Sequence, residues 1–375
     1  MTDRRVDLLF DARHIRQSGI GTYIATLLPS LEQTFAERGL SLAILANRHA
    51  VPDVSQDTAV IPAEPAVMYT GAEQRVWNRA LSTVRPRAFW VPHYPFPLAM
   101  LRPRNRGTRL FIAVHDTMHV RPREISGQSA ARRAYARTMF RLDGRLATLI
   151  FTPSEATTAT LTEISPGARV MVAPIPVDEE WFAPVDAGLS PVSAPYLLYV
   201  GNAKWHKNLP LLLMAFGDIA GDVPHKLVIA GSGETLRGGD ERVPALAAGL
   251  GDRVEVMGRL DFPVLRSLVA GADLLVMPSL HEGAGLPPIE AMASHTAVVA
   301  SDIPSLRETC GDGADYFEPT DRAELAALLR SLCRDEDARA KLAARGWAHV
   351  TARQAGLSLA PAAEAVAEEL AADGS

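Results

Sequence analysis

Short apolar runs that alternate with stretches of helical period extend from end to end of this sequence, in two separate series. The first contains VDLLFDA from Val6, LSLAILA from Leu40, AFWVPH from Ala88, LFIAVHD from Leu110, TLIFTPS from Thr148 and ARVMVAP from Ala168. The second contains YLLYVG from Tyr196, KLVIAG from Lys226, RVEVMG from Arg253, DLLVMPS from Asp273 and AVVAS from Ala297. Strand candidates joined by helical crossovers are the mark of parallel sheets with helices on both faces. The pattern predicts an α/β protein with two doubly wound, Rossmann-like domains.

A chain of 375 residues is too long for one ordinary core and suits two. Between the two series lies PVDEEWFAPVDAGLSPVSAP, residues 176–195, dense in proline and small residues and without periodicity, as a linker should be. The expected division is therefore an N-terminal domain over 1–190, a C-terminal domain over 191–355, and a last helix over 356–375 that returns to the N-terminal domain. Two helical stretches are expected near the end, one from Asp321 to about Val350 and one through LAPAAEAVAEELAAD.

Two cysteines, Cys310 and Cys333, cannot build a disulfide framework or a metal cluster and fit a reducing compartment. Asp7 and Asp11 interrupt the first apolar run, which excludes a signal peptide's apolar segment, and no stretch has the length of a transmembrane helix. The expectation is a cytoplasmic protein, with peripheral contact at the inner face of a membrane left open. Net charge is −5, yet the segment from Arg75 to Arg145 holds fifteen arginines, no lysine and three acids, Asp116, Glu124 and Asp143. That segment carries about +12 and attracts anionic headgroups or pyrophosphate-linked molecules. Aromatic residues are few there and no nucleic-acid-binding motif is visible, so nucleic acid is not an expected partner. Within it, Ala130, Ala134, Met139, Leu142 and Leu146 could share a helix face opposite Arg132, Arg133, Arg137, Arg141 and Arg145.

The segment with most chemical content is MPSLHEGAGLPPIEAMA, which runs from a buried strand through a glycine-rich loop into a helix. Gly283 and Gly285 let the backbone approach a ligand, Pro287 or Pro288 suits the first helical turn, and the helix start offers N–H groups to an anion. Glu282 in the loop and Glu290 in the helix are poor phosphate ligands but good acceptors for sugar and ribose hydroxyls. In the N-terminal half, SGIGTYI opens a helix, and Gly19 and Gly21 could turn backbone N–H groups towards phosphates. Ile24 stands where a dinucleotide fingerprint needs its third glycine, which argues against a nicotinamide enzyme. LFIAVHDTMH places His115 and Asp116 at the carboxyl end of a strand, as does WVPHYPFP for His93. No His/Cys/Asp group has metal-ligand spacing, and neither a nucleophile elbow nor a P-loop occurs. An Asp-x-Asp pattern appears only as Asp335-Glu336-Asp337.

The run E-G-A-G-L-P-P-I-E resembles the paired-glutamate motif of the retaining glycosyltransferases of family 4, which have the GT-B architecture. The similarity continues through Ala291, Met292 and Ala293 to VVASDIPSLRETCGDGADYFEP, and YVGNAKWHKNLPLLLMAF is similar to the family's first C-terminal strand and basic loop. Ala284 departs from the usual aromatic residue, Ser294-His295 from a common glycine, and Asn202 from a common arginine.

The resemblance implies a donor site of Asn202, Lys204, Lys207, Glu282, Gly283, Ala284, Gly285, Leu286 and Glu290, with Gly19 and Gly21 on the N-terminal side. Lys207 would hold the donor diphosphate, Lys204 would assist, Glu282 and His115 would contact the sugar, and Glu290 the ribose. His93 and Asp116 are candidate acceptor contacts. The implied reaction is retaining transfer of a hexose, mannose favoured by the Gly-Asn-x-Lys-x-His-Lys-Asn variant, from a nucleotide-diphosphate sugar to a saccharide or lipid-linked saccharide, with no cofactor and no metal. A catalytically silent sugar-nucleotide-binding relative and an epimerase on the same architecture are the alternatives.

Overall fold

The computed structural model describes residues 5–16, 18–193, 195–231 and 239–372. It contains two compact units. The first comprises the chain up to His119, Ala131–Pro176 and the residues from Leu357 onwards; the second comprises Val120–Ala130 and Val177–Gly356.

The N-terminal unit is built on seven parallel strands: β1 (Leu8–Asp11), β2 (Leu42–Asn47), β3 (Ala59–Ala63), β4 (Ala88–Val91), β5 (Arg109–Ala113), β6 (Leu149–Thr152) and β7 (Val170–Val172). Their order in the sheet is β3-β2-β1-β4-β5-β6-β7. β1 and β4, adjacent in the sheet, are fully buried along their length. β3 was not anticipated from the sequence. It is an edge strand, half exposed, with Pro62 inside it, and an edge is where a strand tolerates a missing N–H.

The C-terminal unit repeats the plan with six parallel strands: β8 (Tyr196–Val200), β9 (Lys226–Ala230), β10 (Val254–Met257), β11 (Leu274–Met277), β12 (Val298–Ser301) and β13 (Asp315–Phe317), in the order β10-β9-β8-β11-β12-β13. Successive residues of a strand point to opposite faces, and here both faces are covered. Leu197, Tyr199, Leu227, Ile229, Leu274 and Val276 enter one core layer. Tyr196, Leu198, Val228, Ala230, Leu275 and Met277 enter the other. That double burial makes the strands legible as apolar runs. β13, three residues long and bearing Asp315, lacks the signal.

The units divide at the start of the proline-rich linker, not near residue 190, because Val177 and Trp181 belong to the core of the C-terminal unit. The final helix, Ala360–Ala371, is part of the N-terminal unit. Its Glu364 pairs with Arg38 at 2.6 Å, and Glu369 pairs with Arg109 and Arg169. Where one helix was expected from Asp321 to Val350 there are two, Arg322–Arg334 and Glu336–Gln354, since Asp335 leaves the helical conformation and caps the second through the Ala338 N–H.

The helix Ala130–Leu146 buries Ala136, Met139, Phe140 and Asp143, whereas Ala134 and Leu146, expected on the apolar face, are exposed. Arg132, Arg137, Arg141 and Arg145 are exposed as anticipated. Among the described residues no helix is long and apolar enough to cross a membrane.

Candidate active site in the C-terminal unit

In both sheets the strand order reverses between the two central strands, and open α/β sheets bind ligands in the crevice at the carboxyl ends of such strands. In the C-terminal unit those strands are β8 and β11. The segment after β8 carries Asn202, Lys204 and Lys207, and the segment after β11 carries Ser279, Glu282, Gly283 and Gly285. The two segments are joined by a backbone hydrogen bond from the Leu280 N–H to the His206 carbonyl, 2.7 Å.

Lys207 Nζ donates to Glu282 Oε1 at 2.7 Å, and Ser279 Oγ donates to the same oxygen at 2.6 Å. Both charged side chains are largely enclosed, at 16% and 9% exposure. Burial alone would raise the Glu282 carboxyl, but the positive charge of Lys207, with His206 nearby, holds it below its ordinary value. A buried ion pair of this kind is ready to exchange partners when an anion and a hydroxyl enter together. The Lys207 ammonium is a compact point charge for phosphate, and Glu282 is an acceptor for hydroxyls. Lys207 is positioned by a single 3-10 turn, Trp205–Lys207, that ends on Asn208 in the left-handed region (φ 54), whose side chain donates to the Pro319 carbonyl at 2.9 Å.

Lys204 is exposed and does not join this pair; its N–H donates to the Asn202 side chain at 3.2 Å, and the Asn202 carbonyl accepts from the Tyr199 hydroxyl. The segment from Asn202 to Lys204 thus shapes the turn that carries Lys207.

The helix Leu286–Ala293 begins directly after Gly285, which has φ 62; a Cβ there would also stand 2.6 Å from Leu306, so glycine is required twice over. Thr309 donates to the Ala284 carbonyl at 2.9 Å and pins the loop. The expected cradle of helix N–H groups is narrower than the sequence implied. Pro287 and Pro288 carry no N–H, which leaves the amides of Gly285 and Leu286 as the donors of this helix start. Further along the helix, burial, reinforced by the negative charge of Asp178, pushes the Glu290 carboxyl up to about 7. Such a group donates as well as accepts a hydrogen bond near neutral pH.

Residues 186–348 match the family model of glycosyl transferases group 1. The match lies within the C-terminal unit, which is thus similar to that family. O-antigen chain mannosyltransferase RfbU of Salmonella typhimurium is 33% identical over 137 residues, 36% of this chain and 38% of the relative. The match thus spans about two fifths of that curated relative's length. Over the whole chain the fold is that of sucrose-phosphate synthase from Thermosynechococcus elongatus, at TM-score 0.77 and 20% identity with 98% of each chain covered. HepE of Anabaena, solved in complex with UDP and glucose, gives TM-score 0.70 at 17% identity, covering 98% of this chain and 100% of the other. The architecture is GT-B, as the glutamate motif implied, and every residue described above from Asn202 to Glu290 lies within the group 1 region.

In the N-terminal unit His115 follows β5. Its Nε2 lies 2.8 Å from the Pro92 carbonyl, so Nε2 carries the proton and Nδ1 is the acceptor. Burial lowers this imidazole to about 4, and it is neutral at physiological pH. Tyr23 packs edge-on against it at 4.9 Å between ring centroids. Tyr23 belongs to the helix Ser18–Glu37 that SGIGTYI opens; Gly21 is obligatory there, because a Cβ would stand 2.5 Å from the Ile15 carbonyl oxygen, whereas a Cβ on Gly19 would meet nothing. Asp116 accepts from the Met118 N–H at 2.9 Å and closes the turn after His115. His93 is buried, with Nε2 2.9 Å from Glu73 Oε1, and so is enclosed within the unit and does not offer an exposed acceptor contact.

Sequence reasoning missed Ser279, Asp178 and the group around Glu73. A serine three residues before a glutamate at a strand end is a readable signal for Ser279. Asp178 and Glu73 meet their partners Glu290, His14 and His93 only through the fold, at sequence separations of 112 and of 20 or more.

Proposed function

We propose that this chain is a retaining glycosyltransferase that moves a hexose, mannose favoured, from a nucleotide-diphosphate sugar to a saccharide or lipid-linked saccharide. The observation that carries the proposal is the Lys207–Glu282–Ser279 cluster at the central strand ends of a group 1 unit. Lys207 stabilises negative charge as the diphosphate leaves, which is the step most helped by a fixed cation in an enclosed site and which needs no metal. Glu282 orients the donor sugar, and Glu290 takes the ribose. The incoming hydroxyl attacks the face from which the diphosphate departs, because no side chain in the site is proposed as a nucleophile. The RfbU relative, named as an O-antigen mannosyltransferase, supports mannose, whereas the HepE complex holds UDP and glucose, so the base is the property to test first.

Thermal melts with GDP, UDP, dTDP and ADP test the reading, since a ligand bound only by the folded chain raises its Tm. One nucleotide family is expected to raise Tm in the wild type and to lose most of that effect in Lys207→Ala. No shift with any of the four would instead favour the silent, partner-dependent reading. Proton NMR of the first-formed product is expected to show the donor's anomeric configuration, and turnover is expected to be unchanged when Mg2+ and Mn2+ are left out.

A peripheral contact with anionic lipid is part of the proposal. It rests on the exposed face of the helix Ala130–Leu146, where Arg132, Arg137, Arg141 and Arg145 accompany the half-exposed Tyr135 and Leu146.

A further inference from the structure

A buried group with no part in the proposed transfer lies at the carboxyl ends of β1 and β4, the two strands between which the order of the N-terminal sheet reverses. We propose that His14, Glu73 and His93 form a site for one divalent transition-metal ion, zinc being the ion the donor set suits best. Nε2 of His14 and Nε2 of His93 converge on the same carboxylate oxygen, Glu73 Oε1, at 3.4 and 2.9 Å. One ligand atom from each of the three lies within 4.8 Å of the other two. Tetrahedral ligands at about 2.0–2.1 Å from zinc are about 3.3 Å apart, and the two sides that meet at Glu73 Oε1, 3.4 and 2.9 Å, lie on either side of that spacing. Two imidazoles and a carboxylate favour zinc over magnesium or calcium, which take oxygen donors.

The surroundings hold these ligands still. Glu73 Oε2 accepts the Tyr69 N–H at 2.8 Å, an approach for which Tyr69 takes a left-handed backbone conformation (φ 66). Trp77 packs on His93 at 5.8 Å between ring centroids, and its Nε1 donates to Asp11 at 2.6 Å. Arg13 holds Asp11 through two bonds, at 2.8 and 2.6 Å, and its Nη2 stands 3.5 Å from Glu73 Oε1. Asp11 is thus neutralised by the guanidinium, while Glu73 Oε1 is shared among Arg13 and the two imidazoles, the oxygen on which a cation would replace the imidazole contacts. Arg13 and His14 also line a cavity of about 360 Å³ with Asn47, Met68 and Tyr69, which provides a way in.

The ligands come from three elements: the turn after β1, the helix Gly71–Val84 and the end of β4. A metal bound here ties those elements together and stabilises the N-terminal unit, independently of the donor chemistry proposed for the C-terminal unit.

The test uses the full chain, stripped with a chelator and titrated with Zn2+. One ion per chain is expected, with a rise in Tm, and Co2+ in place of zinc is expected to give the visible absorption of a low-symmetry, histidine-bound site. His93→Ala and Glu73→Gln are expected to weaken zinc binding at least about tenfold, while His49→Ala, an exposed histidine of the same unit, leaves it unchanged. Should the buried variants fail to fold, the wild-type titration decides alone. Absence of stoichiometric uptake by the stripped wild type, or uptake unaltered in a folded His93→Ala chain, overturns the proposal and leaves a hydrogen-bonded network only. Neither readout involves nucleotide or sugar, so failure here is distinct from failure of the proposed transferase reading.

Discussion

Glu290 shows how much a single position depends on its surroundings. In an unfolded chain its carboxyl titrates near 4.5; burial and the charge of Asp178 bring it to about 7 in the fold. Between those values the folded chain keeps a proton that the unfolded chain has lost, so the stability linked to that proton is present at low pH and is lost as pH rises towards 7. Glu290→Gln, which is neutral throughout, is therefore expected to gain Tm relative to wild type on going from about pH 5 to about pH 8; an equal difference at both would contradict the assignment. His115 has the opposite sign. Its folded value lies below its unfolded one, so its contribution to stability is complete above about 6.5 and falls as pH drops towards about 4. Lys207 and Glu282, which the fold pairs, sit on loops whose local pattern marks them. Glu73 was invisible because its partners are set by folding, and nothing around it in sequence advertises a buried acid.

At the scale of elements, legibility followed apolar content. Strands covered on both faces gave continuous apolar runs and were found, as were the partly buried β7 and β10 through their valines and methionines, whereas the half-exposed β3 with its proline and the short β13 with its aspartate were not. Helix ends were read less well than helices, because a cap is one side chain. Asp335 divides what looked like a single helix, and the same residue accounts for the Asp-x-Asp pattern as a capping feature. Asp335→Ala is expected to cost about 0.5–2 kcal/mol, read by denaturant unfolding, with Asp335→Asn costing much less. The glycines of SGIGTYI separate cleanly in the same way. Gly21→Ala drives a methyl group into the Ile15 carbonyl and should destabilise the N-terminal unit, whereas Gly19→Ala should be tolerated or mildly stabilising, since its site is open and helical. Equal effects of the two substitutions in thermal melts would count against this packing.

Across the whole molecule, charge is unevenly spread. The segment from Arg75 to Arg145 is strongly basic, and one of its three acids, Asp143, is buried, with burial pushing its carboxyl well up, so it does little to offset the arginines. Co-sedimentation with anionic vesicles is expected at low salt and should fall steeply as ionic strength rises; replacing Arg132, Arg137, Arg141 and Arg145 together by Gln should abolish it, and binding indifferent to salt would contradict an electrostatic contact. The donor chemistry, by contrast, is assigned to the C-terminal unit, and its central claim is that Lys207 stabilises the departing diphosphate. The most direct measurement is single-turnover transfer by wild type and Lys207→Ala at saturating donor. A loss of about 10²–10³-fold in the rate of the chemical step is the result this account predicts; a folded variant that transfers sugar at the wild-type rate would contradict it.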